Sequence, residues 1–189
     1  MSGGGPAPGP KIVDWVRRHA QELSDGARKW NLFHAWFGSA VGRAIGQEYA
    51  AEHPTDDVFV DTPIGVIAGK LKLPSAGTEP FKRPDIYNAT TGKVYEIKAY
   101  PNQILAEEEA MQYSAWLRAV GAPASPGVGD GSTTSGRLRI WGMSVTYEQV
   151  GPGAIVYEYD ASALRQLFLA GATAAALARG GGRVPVGAH

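Results

Sequence analysis

Apolar and polar positions along this chain switch several times between a helical and a strand period. Residues 11–26 place Ile12, Val13, Trp15, Val16, Ala20 and Leu23 on one broad side of a helix, and Gly26 supplies a stop. Residues 30–53 repeat Phe37, Val41, Ala44 and Ile45 at helical spacing, and Pro54 ends the run. Gly38, Gly42 and Gly46 interrupt that helix four residues apart, on one face. Each costs about 1 kcal/mol against alanine, so the spacing predicts close packing of this face against a sheet. Residues 57–66 read as strand, and 74–80 as loop. Residues 84–88 and 93–100 read as two strands joined by the turn Ala89-Thr90-Thr91-Gly92. A helical period returns over 102–121, followed by a polar Gly/Ser-rich loop over 122–136. Residues 137–150 and 153–160 read as two further strands, and 161–180 as an Ala/Leu helix. The order predicts a mixed α/β or α+β domain, a central mixed sheet flanked by helices. It occupies residues 11–179, between a flexible Gly/Pro-rich start at 1–10 and a flexible tail at 180–189.

Composition narrows the function classes. A chain of 189 residues with 44% hydrophobic and 19% charged residues has enough apolar side chains for a full core. Lys plus Arg and Asp plus Glu number 18 each, so no bulk positive field advertises a nucleic-acid partner. A local basic groove remains open, because net charge says nothing of distribution. With no cysteine there is no disulfide, thiolate metal site or cysteine nucleophile. No secretory signal pattern and no run of about 18 apolar residues predicts export or a membrane span. His19, His34, His53 and His189 lack metal-ligand spacing, and no phosphate loop or nucleophile elbow occurs.

The candidate chemistry sits in the two strands around the Ala89–Gly92 turn. Successive side chains of a strand point to opposite faces. Tyr95, Ile97 and Ala99 therefore share one face, and Val94, Glu96 and Lys98 the other. Asp85 follows Pro84, where the chain is expected to be extended, and pairing across the turn can bring it near Glu96 and Lys98. Two carboxylates suit a hard cation such as Mg2+ (or Mn2+) that keeps waters and substrate phosphates as further ligands. The backbone carbonyl of Ile97 can add a ligand, and Lys98 can orient or deprotonate a water and stabilise a pentacovalent phosphorus. The chemistry implied is phosphodiester hydrolysis.

Pro84-Asp85 followed by Glu96-Ile97-Lys98 resembles the PD-(D/E)xK nuclease superfamily, with its restriction-endonuclease-like fold. RPDIYN and VYEIKAY look most like its bacterial polymorphic-toxin nuclease domains, and the resemblance covers roughly residues 37–119. It implies a Mg2+-dependent endonuclease acting on DNA, with Asp85, Glu96 and Lys98 catalytic. It also implies a toxin or effector at work in the cytoplasm of a target cell and neutralised at home by an immunity protein. Many members carry a helical glutamate that completes the metal site, and Glu48 matches that role from the stripe of Phe37 and Val41. Several branches place a glutamine on the helix after the lysine strand, followed by a tyrosine. Gln112 matches the first, while Tyr113 is adjacent rather than spaced along the helix.

Each position also has a plainer reading. Glu96 and Lys98 can be the solvated face of an edge strand, held in cross-strand ion pairs. Lys70, Lys72, Lys82 and Arg83 can line a phosphate groove or be solvated loop charges. The five tryptophans read as core, and Glu107, Glu108 and Glu109 as acidic residues complementing the helix macrodipole. Two alternatives to a DNase stay open: an RNase or repair-type nuclease, and a non-catalytic protein- or nucleic-acid-binding module on the same fold.

Overall fold

The glycine stripe of the long helix lies where its spacing predicts, against the sheet. A computed structural model describes residues 27–74, 77–128, 135–160 and 162, the side chains from 33 onward. The helix expected over 11–26, both chain ends, and all but Ser162 of the helix expected over 161–180 lie outside the described residues. The elements are α1 (Ala27–Glu52), β1 (Val58–Val60), α2 (Ile64–Lys70), β2 (Ile86–Asn88), β3 (Lys93–Ala99) and α3 (Gln103–Ala119). They continue with β4 (Ser125–Pro126), β5 (Ser135–Ile140), β6 (Met143–Gly151) and β7 (Ala154–Tyr159). The fold is α+β: a mixed seven-stranded sheet in the order β1-β2-β3-β7-β6-β5, with β4 paired to β3, flanked by helices. None of the described helices is long and apolar enough to cross a membrane.

Contacts divide the chain into two units. The larger holds Phe37–Leu138 and Val145–Glu158. In it, β1 to β3 form an antiparallel ladder, and β3 pairs in parallel with β7 in the register Glu96↔Ala154, Ile97↔Ile155, Lys98↔Val156. One face of the sheet takes α1. A Cβ on Gly46 would stand 2.5 Å from Val60, and one on Gly38 would stand 3.1 Å from the Tyr157 hydroxyl, so the backbone of α1 sits directly on the strands. Phe37, Val41, Ile45 and Tyr49 bury alongside, and the Tyr49 ring meets Tyr95 at 5.3 Å. A second core cluster joins Phe59, Tyr87 and Val94 of the strands to Ile64 and Ile67 of α2 and Leu117 of α3.

The turn from β2 to β3 is Ala89–Gly92, as expected: Gly92 has φ 69°, and the Thr91 amide donates to the Asn88 side chain at 3.1 Å. Three expectations are corrected. The strand expected over 57–66 ends at Val60, and Ile64–Lys70 is helix, begun after Pro63. The single strand expected over 137–150 is a hairpin, β5 and β6, turning at Trp141 (φ 51°) and Gly142 (φ 87°). The loop expected over 122–136 contains β4 and the start of β5.

The smaller unit contributes residues 27–36, 139–144, 159, 160 and 162 to the described set. Within it the rings of Trp36 and Trp141 stack at 3.9 Å, and the Tyr159 hydroxyl lies 2.8 Å from His34 Nδ1. Trp36 is 43% exposed, so it is not the core residue expected.

Candidate active site

The site forms where β2 stops and side chains take over its ladder. Pro84 is buried and biases Arg83, the residue before it, toward extended backbone. The β2–β3 pairing runs back as far as Ile86↔Tyr95. One residue earlier, the Asp85 amide donates to Glu96 Oε1 at 3.1 Å, not to the β3 backbone. The Ile97 amide, facing the same side, donates to Asp85 Oδ2 at 2.7 Å. Each carboxylate is thus held by a main-chain N–H next to the other. In a strand the N–H and C=O of one residue point the same way, so the Ile97 carbonyl is also directed past the end of β2. Asp85 Oδ1 faces Gly42, where a Cβ would stand 3.6 Å away, and the two carboxyls also hydrogen-bond to each other.

Lys98 lies beside the pair. Its Nζ donates to Glu96 Oε2 at 3.0 Å and meets Glu109 Oε2 of α3 at 2.7 Å. Glu96 is only 2% exposed, in a strand bonded on both sides, which overturns its reading as part of a solvated edge. Both faces of β3 are buried from Val94 to Ile97, because helices cover each side of it.

Burial raises the Asp85 carboxyl above its ordinary value, although the Ile97 amide and Lys98 pull it back. Glu96 is raised by burial first and by the Asp85 charge second. Burial lowers the Lys98 ammonium, but Glu96 and Glu109 outweigh it and hold its pKa above the usual lysine range. The site therefore holds a charged lysine and a carboxyl pair that resists full ionisation until more positive charge arrives. Two phenols border it. Tyr113 is pushed up to about 12, by burial and then by Glu96 and Glu109. Tyr157 is raised by burial and then by Asp85. Both keep their protons at neutral pH.

The other expected residues divide. Glu48 does not join the pair: its Oε2 accepts a hydrogen bond from the Tyr147 hydroxyl at 2.9 Å. Gly42 is the α1 residue facing Asp85, and six residues on, Glu48 is turned by about 240° and displaced by about 9 Å along the axis. Gln112 is exposed, and Tyr113 faces the charges instead. The same helix turns small residues inward. Ile104, Leu105 and Met111 are exposed, while Ala106, Ala110, Ser114 and Leu117 are buried. Lys82 Nζ lies over the Trp116 ring at 5.6 Å, and Lys70 Nζ over Phe59 at 5.6 Å. Arg83 pairs with Asp61 at 3.8 Å.

Glu109 is the residue that sequence reasoning missed. The macrodipole account fails for it, since the first turn of α3 contains no acid. Its position was legible as the i−4 neighbour of Tyr113, on the side of the small residues Ala106 and Ala110.

Among the described residues, no group of three or more His, Cys, Asp or Glu side chains is arranged to hold a metal ion. What Asp85, Glu96 and the Ile97 carbonyl offer is a partial, all-oxygen donor set of two buried carboxylates and one main-chain oxygen. That set fits a hard cation keeping most of its waters. Compared with protein-family models, curated proteins and solved structures, the chain matches none.

Proposed function

We propose that this chain is a divalent-metal-dependent nuclease that hydrolyses phosphodiester bonds of DNA. The observation carrying this reading is the meeting of Asp85, Glu96 and Lys98 at the end of β2, buried and mutually hydrogen-bonded. Asp85, Glu96 and the Ile97 carbonyl would hold Mg2+ or Mn2+, which when bound acidifies a water and stabilises charge on a phosphate oxygen. Lys98, kept protonated by Glu96 and Glu109, is suited to stabilise charge developing on the pentacovalent phosphorus and to orient the attacking water. Its raised pKa argues against Lys98 as the base that removes the proton. The resemblance to the restriction-endonuclease-like nucleases supports the same assignment. From their toxin branch comes the further proposal of a secreted effector restrained by an immunity protein.

A second reading has its own observation. Three of the four carboxylate oxygens already have protein partners, so the network could simply clasp the end of β2. The two readings differ in response to metal. Under the nuclease reading, Mg2+ or Mn2+ raises the Tm of the wild type and much less that of Asp85→Ala. Equal responses in both proteins favour the clasp. Parallel cleavage assays on plasmid, linear DNA and RNA decide between DNase and RNase.

A further inference from the structure

We propose that Arg43 and Arg83, held by Asp61, form a seat for a backbone phosphate of nucleic acid beside the Asp85–Glu96 pair. The proposal rests on the nuclease reading for its substrate class. Asp61 is the first residue after β1, and its amide donates to the Asp85 carbonyl at 3.0 Å. Its backbone is in the left-handed region at φ 44°, a conformation uncommon outside glycine, and tolerated by aspartate more than by most residues. The bend presents its carboxylate to two guanidinium groups, Arg43 Nη2 at 3.2 Å on Oδ2 and Arg83 Nη1 at 3.8 Å on Oδ1.

Both arginines adjoin the site along the chain. Arg43 follows Gly42, the residue facing Asp85 Oδ1, and Arg83 lies two residues before Asp85. Their side chains are 60% and 55% exposed, so two cations surround one anion at the surface with a net positive charge. Exposed ion pairs add little to stability, and this one gives the fold no evident return for an unusual backbone. A guanidinium fork carries five N–H donors, so each arginine keeps donors for a second anion after serving Asp61. Its planar geometry suits phosphate oxygens in particular. Lys82, which also lies upstream of Asp85, is instead placed over Trp116.

The test is the salt dependence of binding to a short fluorescein-labelled DNA duplex, followed by anisotropy in EDTA so that no cleavage intervenes. Wild type is compared with the double variant Arg43→Ala/Arg83→Ala and with Arg137→Ala/Arg139→Ala, which removes equal charge from β5. The seat predicts that the slope of log K against log salt falls by about one in the first double variant, with about tenfold or greater loss of affinity near physiological salt. The β5 variant stays close to wild type, and Arg43→Lys/Arg83→Lys keeps the slope. An unchanged slope in the first variant, or an equal drop in the β5 variant, overturns the seat. Wild-type cleavage of plasmid with Mg2+ is scored separately. Cleavage without the slope change leaves the reaction and removes the seat; the slope change without cleavage leaves the seat and removes the reaction.

Discussion

Asp85 and Glu96 are two acids packed together at a strand end. Main-chain amides and one ammonium satisfy three oxygens, and the remaining cost appears as raised carboxyl pKa values. The linkage has a definite sign. Groups whose folded pKa is raised hold protons more tightly folded than unfolded, so their stabilising contribution is complete at low pH and lost as pH rises. Metal-free protein should lose stability from about pH 4 upward through the raised carboxyl values, and added Mg2+ should flatten that loss. Urea denaturation across pH 4–8, with and without Mg2+, checks this. Asp85→Asn keeps an acceptor for the Ile97 amide and removes one charge. It should raise metal-free stability at pH 7 by about 1 kcal/mol, or roughly 2–4 °C in Tm, and abolish the metal-dependent gain. At this scale the sequence was informative for Asp85, Glu96 and Lys98, because period-2 alternation and a short turn limit where they can go. It set Glu109 beside Tyr113 on α3 but could not pair it with Lys98 on another element, and it was uninformative for Asp61, whose φ depends on the turn after β1.

At the scale of elements, the helix α1 was legible because its glycines are costly unless something lies against them. The structure supplies that contact at Val60 and Tyr157. The glycines should behave differently when replaced. Gly46→Ala places a Cβ 2.5 Å from Val60 and should destabilise by about 1–3 kcal/mol in thermal or urea unfolding. Gly42→Ala meets Asp85 Oδ1 at an ordinary 3.6 Å, so it should stabilise the metal-free helix by up to about 1 kcal/mol. It also fills the space beside Oδ1, so the Tm gain from Mg2+ should shrink. The misread elements have physical causes too. Ile64, Val66 and Ile67 are β-branched, and their strand preference is overruled by burial of Ile64 and Ile67 against Phe59 and Tyr87. The β5–β6 hairpin was hidden because a bulky tryptophan, rather than Asn or Asp, adopts the positive φ before Gly142. In α3, Ile104, Leu105 and Met111 face solvent while the small Ala106, Ala110 and Ser114 are buried, and Leu117 joins the core.

For the whole molecule, zero net charge and the absence of cysteine left the reaction class open, and the proposed reaction rests on the carboxylate–lysine cluster. The α+β class was legible because helical and strand periods alternate between residues 30 and 160, although α2, β4 and the β5–β6 turn were not read. The restriction-endonuclease-like core, the DNA substrate and the immunity partner remain proposals built on that cluster and its resemblance. They lead to one decisive measurement: conversion of supercoiled plasmid by wild type and by Lys98→Ala, with Mg2+ and with EDTA, after circular dichroism has established that both are folded. The account predicts cleavage by wild type only with Mg2+, and a loss of at least about a hundredfold in Lys98→Ala. Plasmid left intact by folded wild type with Mg2+, or cut as fast by Lys98→Ala, would contradict it.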